Sequence, residues 1–208
     1  MIKFCLTGSI ATGKTTVSNY MKDFGAIIID TDIVVHDLYN YPSETSKKII
    51  SVFGEDLLEN GQINRKELSK IVFSDSEKLK KLNDIVHPDV RKEVYRLTEK
   101  YEKDEKIKNK NYLLVYVIPL FFETGSSYSV DNIIVSACSE KNQLLRLIER
   151  NNFTKEEAVK RIISQISISE KIKKADYVID TNESLDKIED QVRNLLSRFE
   201  CDKFEIES

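Results

Sequence analysis

Between a short apolar run, Ile2 to Leu6, and a helical pattern carrying Val17, Met21 and Phe24, the chain places Gly8-Ser9-Ile10-Ala11-Thr12-Gly13-Lys14-Thr15. No other segment restricts the fold as strongly. The spacing G-x-x-x-x-G-K-[ST] has meaning only where a strand turns directly into a helix, because the turn must present its backbone amides at the helix start. Gly8 and Gly13 let the backbone curl so that successive N–H groups point into one concavity, and the helix dipole adds positive potential there. This is a site for nucleotide phosphates, with main-chain groups from Gly8 to Thr16 as the expected contacts. Lys14 is expected to reach the β- and γ-phosphates and the Thr15 hydroxyl to bind Mg²⁺. Gly25 is placed to end the helix as a left-handed cap.

With 208 residues, 40% of them hydrophobic, the chain can build one sizeable core carrying a smaller subdomain. Its formal charge of -3 comes from 32 basic and 35 acidic residues that are interspersed, so no general field favours nucleic acid or an anionic membrane. Any anion binding must be local. Cys5, Cys138 and Cys201 are far apart and form no C-x-x-C pair, which argues against a zinc site or a disulfide framework and fits a reducing compartment. Cys5 and Cys138 fall in or beside expected strands and read as small buried hydrophobes. The phosphate loop starts at residue 8, leaving no space for a signal segment, so a cytoplasmic protein is expected. The longest apolar stretch, Tyr112 to Phe122, is too short to span a bilayer and reads as a buried strand.

Further strands are expected at Ala26 to Ile29, Leu113 to Ile118, Ile133 to Val135 and Tyr177 to Ile179. Near-continuous apolar strands alternating with helices are what a parallel sheet covered on both faces requires. The second strand ends in Asp30-Thr31-Asp32, and ligands collect at such carboxyl ends. The interval from about 41 to 111 is dominated by helical signals and reads as an inserted lobe between core segments 1–40 and 112–208. Within it, Asn64 with Glu67 forms a capping box, Ser76 starts another helix, and His87-Pro88 breaks the pattern before a helix from Asp89. The tail Glu99 to Lys110, almost wholly charged, reads as a solvated end. Ser139 caps a helix with Gln143, Arg146 and Arg150, and Thr154 with Glu157 forms a capping box for the next, so a helical lid is expected over about 139–166.

The remaining strand ends favour a small-molecule kinase. None of the six glycines has an aspartate three positions earlier, and N-K-x-D is missing, which removes the GTPases. Motor and ABC-type ATPases place an acidic residue directly after an apolar strand, whereas here the third strand runs into Pro119-Leu120. Asp30 and Asp32 are two apart, so extended backbone would turn both side chains the same way, and one could take the proton from an acceptor hydroxyl. With an unperturbed pKa of about 3.9 it would be ionised at neutral pH. Arg146 and Arg150, four apart, share one helix face and suit a lid closing over a transferring phosphoryl group, although a solvated helix would show the same spacing.

Beyond the generic loop, an ordered set of residues resembles the dephospho-coenzyme A kinases over nearly the whole chain. It comprises Leu6-Thr7-Gly8, Asp30-Thr31-Asp32, Phe53-Gly54, Asn60-Gly61, Arg65, Ile71-Val72-Phe73, Leu82-Asn83 and His87-Pro88, then Pro119-Leu120-Phe121 with Glu123, Gln143 with Arg146 and Arg150, Arg161 with Gln165, and Ala175-Asp176. The resemblance implies an α/β phosphate-loop fold of the nucleoside monophosphate kinase type: a five-stranded parallel sheet flanked by helices, an inserted helical substrate lobe and a helical lid. It implies ATP and Mg²⁺, with transfer of the γ-phosphoryl group to the ribose 3′-hydroxyl of dephospho-coenzyme A. Asp32 would be the general base, and Lys14, Arg146 and Arg150 would stabilise charge. Asp32, His87, Pro119 and Leu120 would face the acceptor, and Asn182 would lie near the adenine. The expected partner is that small molecule alone, in a monomer or weak homo-oligomer, with neither nucleic acid nor membrane. The loop departs from the family's glycine-rich pattern at Ser9, Ala11 and Thr12; if position 11 needs positive φ, alanine strains it. His36 and Thr181 stand where arginine and asparagine are common. Another small-molecule kinase of the same fold, or a non-catalytic ATP-binding protein, are the alternatives.

Overall fold

The computed structural model describes residues 1–105, 111–125 and 128–199. Cys201 and the end of the charged tail at 106–110 lie outside these. The described chain forms two compact units, one made of Met1–Asp30 with the residues from Glu102 onward, the other Thr31–Tyr101.

The first unit is built on a parallel sheet. Its strands are β1 (Ile2–Gly8), β2 (Ile27–Asp30), β5 (Leu113–Val117), β6 (Asn132–Ala137) and β7 (Tyr177–Asp180), in the order β2-β5-β1-β6-β7. Apolar runs form these strands, buried on both faces in β5 and most of β1 and more open at the edge strand β7, and β1 is the centre, with Leu6 opposite Val117 on one side and Ile134 on the other. After β1 the chain crosses towards β2, and after β6 it crosses the other way to β7. Neighbouring strands that depart in opposite directions open a crevice at their carboxyl ends. The phosphate loop and the β6–α6 turn, with α6 at Glu140–Asn151, border that crevice.

One face of the sheet is covered by α1 (Lys14–Asp23) and α9 (Leu185–Leu196). Their inward residues Val17, Met21, Ile188, Val192 and Leu195 recur at helical spacing and pack with Phe4, Leu6 and Val115 in one apolar cluster. Each such side chain contributes about 1.5–3 kcal/mol by leaving water. Gly25 (φ 93) closes α1 as expected, its N–H bonding to Lys22 O and that of Ala26 to Met21 O. The expected strand from Tyr112 ends at Val117, and Pro119 begins a turn. The capping box of α7 (Lys155–Ile163) is complete, and Ser139 caps α6 through the Asn142 amide.

The second unit runs α2 (Thr31–Leu38), α3 (Glu44–Phe53), a short hairpin of β3 (Leu58–Glu59) and β4 (Gln62–Ile63), α4 (Arg65–Phe73) and α5 (Ser76–Lys103), the last passing into the first unit at its end. Asn60-Gly61, both at positive φ (52 and 75), makes the tight turn between β3 and β4. Asn64 caps α4 by accepting from the Lys66 and Glu67 amides, but the reciprocal half of the expected box is missing: the Asn64 amide donates to Leu57 O and Glu67 pairs with Lys70.

His87-Pro88 does not break the helix; α5 is continuous through it. Proline removes one N–H and crowds the carbonyl four residues back. Both Pro88 and Asp84 are exposed, so water can serve that carbonyl, while the buried stripe Leu82, Val86, Val90 and Val94 holds the opposite face in register.

Candidate phosphate-binding site

The loop leaves β1 at Gly8, where a Cβ would stand 2.6 Å from the Ser136 backbone oxygen, so only glycine lets β1 and β6 approach this closely. Ala11 has φ 59 and Gly13 φ 83. The alanine therefore occupies the left-handed region, at a cost of about 1–2 kcal/mol that glycine would avoid. Gly13 caps α1, and a Cβ on it would meet Thr181 at 3.1 Å.

Side chains lock this turn from beneath. The Thr12 hydroxyl donates to Ser9 O at 2.8 Å and lies 3.1 Å from Ser136 Oγ. The buried Thr181 hydroxyl is within 3.0 Å of Thr12 O and 3.1 Å of Ala137 O. Arg146 reaches the same residue, Nη1 donating to Thr181 Oγ1 at 3.1 Å and Nη2 to Thr181 O at 2.5 Å. Lys14 Nζ donates to Gly8 O at 3.1 Å and Ser9 O at 2.8 Å, so its ammonium group sits against the loop. Thr15 is exposed in the first turn of α1.

The candidate residues do not all converge. Arg146 is half-buried and directed at Thr181, whereas Arg150 is exposed and donates to Asn151 Oδ1 at 3.0 Å; they share a helix face but no partner. Asn182 accepts from the Ser139 amide at 2.8 Å and from Asn142 Nδ2 at 3.0 Å, joining the end of β7 to the start of α6. Pro119 and Leu120 follow β5, with Pro119 O 3.4 Å from Thr7 Oγ1. Asp30 closes β2, and Thr31 already begins α2, so strand alternation does not relate Asp30 to Asp32. Asp32 is instead an exposed residue in the first turn of α2. His87 lies exposed on α5. Both belong to the second unit.

Three contributors carried no assigned role on sequence grounds. Gln143 and Gln165 each bond the Ile10 backbone, and Lys171, wholly buried, pairs with Glu123 at 2.7 Å and reaches within 3.5 Å of Gly8 O. Nothing in a lysine-rich stretch such as Lys171 to Lys174 marks one ammonium as internal. The thiols near the site are inert: burial pushes Cys5 far up, and pushes Cys138 up against the opposing charge of Arg146.

Among the described residues no group of three or more His, Cys, Asp or Glu is arranged to hold a metal. A hydroxyl at the mouth of a phosphate loop still suits Mg²⁺, which is usually held by one or two protein oxygens, substrate phosphates and water.

A parallel sheet whose central strand launches such a loop, flanked by helices, is the frame of the phosphate-loop nucleotide-binding α/β proteins, the small-molecule kinases among them. The dephospho-CoA kinase family model, CoaE, matches residues 2–187. A dephospho-CoA kinase of Listeria innocua is 46% identical over 198 residues, covering 93% of this chain and 95% of that protein. One of Bacillus cereus is 39% identical over 195 residues, with coverage of 93% and 95%. Among solved structures, TT1252 from Thermus thermophilus aligns with a TM-score of 0.77 at 27% identity, covering 95% of this chain and 97% of that one. The dephospho-CoA kinase from Campylobacter jejuni aligns with a TM-score of 0.64 at 28% identity, covering 94% and 96%. The chain belongs to the dephospho-CoA kinase family, enzymes that phosphorylate dephospho-CoA at the expense of ATP. No described helix is long and apolar enough to cross a membrane.

Proposed function

We propose that this chain transfers the γ-phosphoryl group of ATP to the ribose 3′-hydroxyl of dephospho-CoA, releasing CoA and ADP. The observation that carries the reading is the phosphate loop itself, locked by Thr12, Ser136, Thr181 and Arg146 at the carboxyl end of the central strand. Phosphoryl transfer leaves little covalent work for a protein, so positioning and charge stabilisation dominate. The loop amides from Gly8 to Thr16 bind the phosphates. Lys14 leaves the loop carbonyls to follow the transferring group, and Arg146, with Arg150, neutralises charge gathering on it. Mg²⁺, held by Thr15 and phosphate oxygens, would add further charge neutralisation.

Asp32, at the carboxyl side of β2, takes the proton of the attacking hydroxyl. Acceptor recognition is assigned to Asp32, His87, Pro119 and Leu120. Asn182 borders the adenine, and the segment 139–166 acts as the lid. We further infer a cytoplasmic protein, monomeric or weakly self-associating. A coupled ADP-release assay tests the reading: ADP must appear with dephospho-CoA as acceptor and stop on addition of EDTA. Release with shikimate, gluconate or a nucleoside monophosphate but not with dephospho-CoA would overturn the assignment.

A further inference from the structure

The main-chain groups of Ile10 are held from two sides. Its N–H donates to Gln165 Oε1 at 2.8 Å, and its carbonyl accepts from Gln143 Nε2 at 2.8 Å. Gln143 comes from α6 and is 1% exposed; Gln165 comes from the connection between α7 and α8 (Ile168–Lys173). We infer that these two glutamines are positioning residues of the phosphate loop, Gln165 holding the Ser9–Ile10 peptide and Gln143 the Ile10–Ala11 peptide, so that the turn keeps Ala11 in its left-handed conformation.

In a trans peptide the carbonyl and the following N–H point in opposite directions. By gripping Ile10 O, Gln143 aims the Ala11 N–H away from α6, and it fixes one of the two planes whose relative rotation defines φ of Ala11. That φ is 59°, which a glycine adopts freely and an alanine does not. Left alone, the alanine would return to negative φ and swing the peptide round, spoiling the amide lining for phosphate.

The second grip is itself anchored. Ile166, next to Gln165, donates its amide to Glu123 Oε1 at 3.1 Å, and that oxygen also pairs with buried Lys171 at 2.7 Å. The Gln165 segment is therefore fixed to the turn after β5. The same contacts tie the helices expected to form the lid to the triphosphate site, so the two cannot move independently.

This inference rests on the phosphate-site reading and is tested by a double-substitution cycle. ATP affinity is measured by calorimetry, and kcat and KM by coupled assay, for Gln143→Met and Gln165→Leu, each alone and with Ala11→Gly. Each glutamine variant should weaken ATP binding roughly five- to thirtyfold, the cost of a left-handed alanine expressed as affinity, with KM for dephospho-CoA little changed. Adding Ala11→Gly should return most of the lost affinity, because glycine needs no support to stay left-handed. A purely structural role predicts no such rescue. Glutamine variants that bind ATP as the unsubstituted chain does, or that lose equal affinity with and without Ala11→Gly, overturn the inference. Gln165 is half-exposed, so its variant carries the test where Gln143→Met does not fold by circular dichroism. An unsubstituted chain that fails to bind ATP would instead end the phosphate-site reading, and this one with it.

Discussion

Arg146 and Thr181 are joined twice, guanidinium to hydroxyl and guanidinium to carbonyl, and the same hydroxyl lies in hydrogen-bond reach of the phosphate loop at Thr12. The fork of α6 is thus aligned by the residue that follows β7. A compact ammonium cannot reproduce both contacts. Arg146→Lys should lower kcat roughly ten- to a hundredfold, equivalent to one charge-assisted hydrogen bond of about 1.5–3 kcal/mol. Steady-state kinetics of the folded variant decides; unchanged kcat removes Arg146 from charge stabilisation.

Lys14 rests on Gly8 O and Ser9 O, contacts it can exchange for phosphate oxygens. Lys14→Met should lower kcat by roughly 10²-fold or more, as for loss of one preorganised donor to developing charge. Single-turnover phosphoryl transfer is the measurement, and near-normal rates contradict the role.

Asp32 stands in the first turn of α2, two residues beyond β2. Asp32→Asn keeps the shape and removes the base, so kcat should fall roughly 10²- to 10⁴-fold while ATP affinity persists. Equal turnover would exclude it as the proton acceptor.

Gly13 combines φ 83 with a Thr181 side chain 3.1 Å from where a Cβ would sit. Gly13→Ala should lower the melting temperature by roughly 2–8 °C for a chain of this size and weaken ATP binding with it. Calorimetric melting with and without ATP separates the two effects; an unaltered melt would show that the loop tolerates the side chain.

Burial raises the thiols of Cys5 and Cys138 above their ordinary range, so at pH 7.5 both stay protonated in the folded chain. Iodoacetamide followed by mass spectrometry should leave them unmodified until urea is added. The folded state holds these protons more tightly than the unfolded chain, so stability should decline as pH rises past about 8.5. Rapid native alkylation of either would contradict their burial.

The five parallel strands were readable because each is a short apolar run bounded by turn residues, and Gly25, Ser139 and Thr154 marked helix ends through local chemistry. Local signals failed where the deciding contact was remote. Pro88 looked like a stop, yet packing of Val86 and Val90 carries α5 past it. Asn60-Gly61 is a strong hairpin signal whose flanking strands, two residues each, are too short for alternation to show. At the site, the loop announced itself by pattern. Its supports did not, because Thr181, Gln165 and Lys171 lie more than 150 residues from the loop residues they bond and act through single side chains.

In β1, residues Phe4 to Thr7 are wholly shielded, with a paired strand on either side. A segment so placed exchanges its amide hydrogens only when the entire sheet comes apart, not through a local breath. The triphosphate cradle is thus launched from one of the last segments to open, although its loop residues Ile10, Ala11 and Gly13 to Thr15 are themselves less buried. A filled nucleotide site should therefore protect remote strands such as β7, and heat-labile variants anywhere in this core should lose ligand retention and fold in a single step.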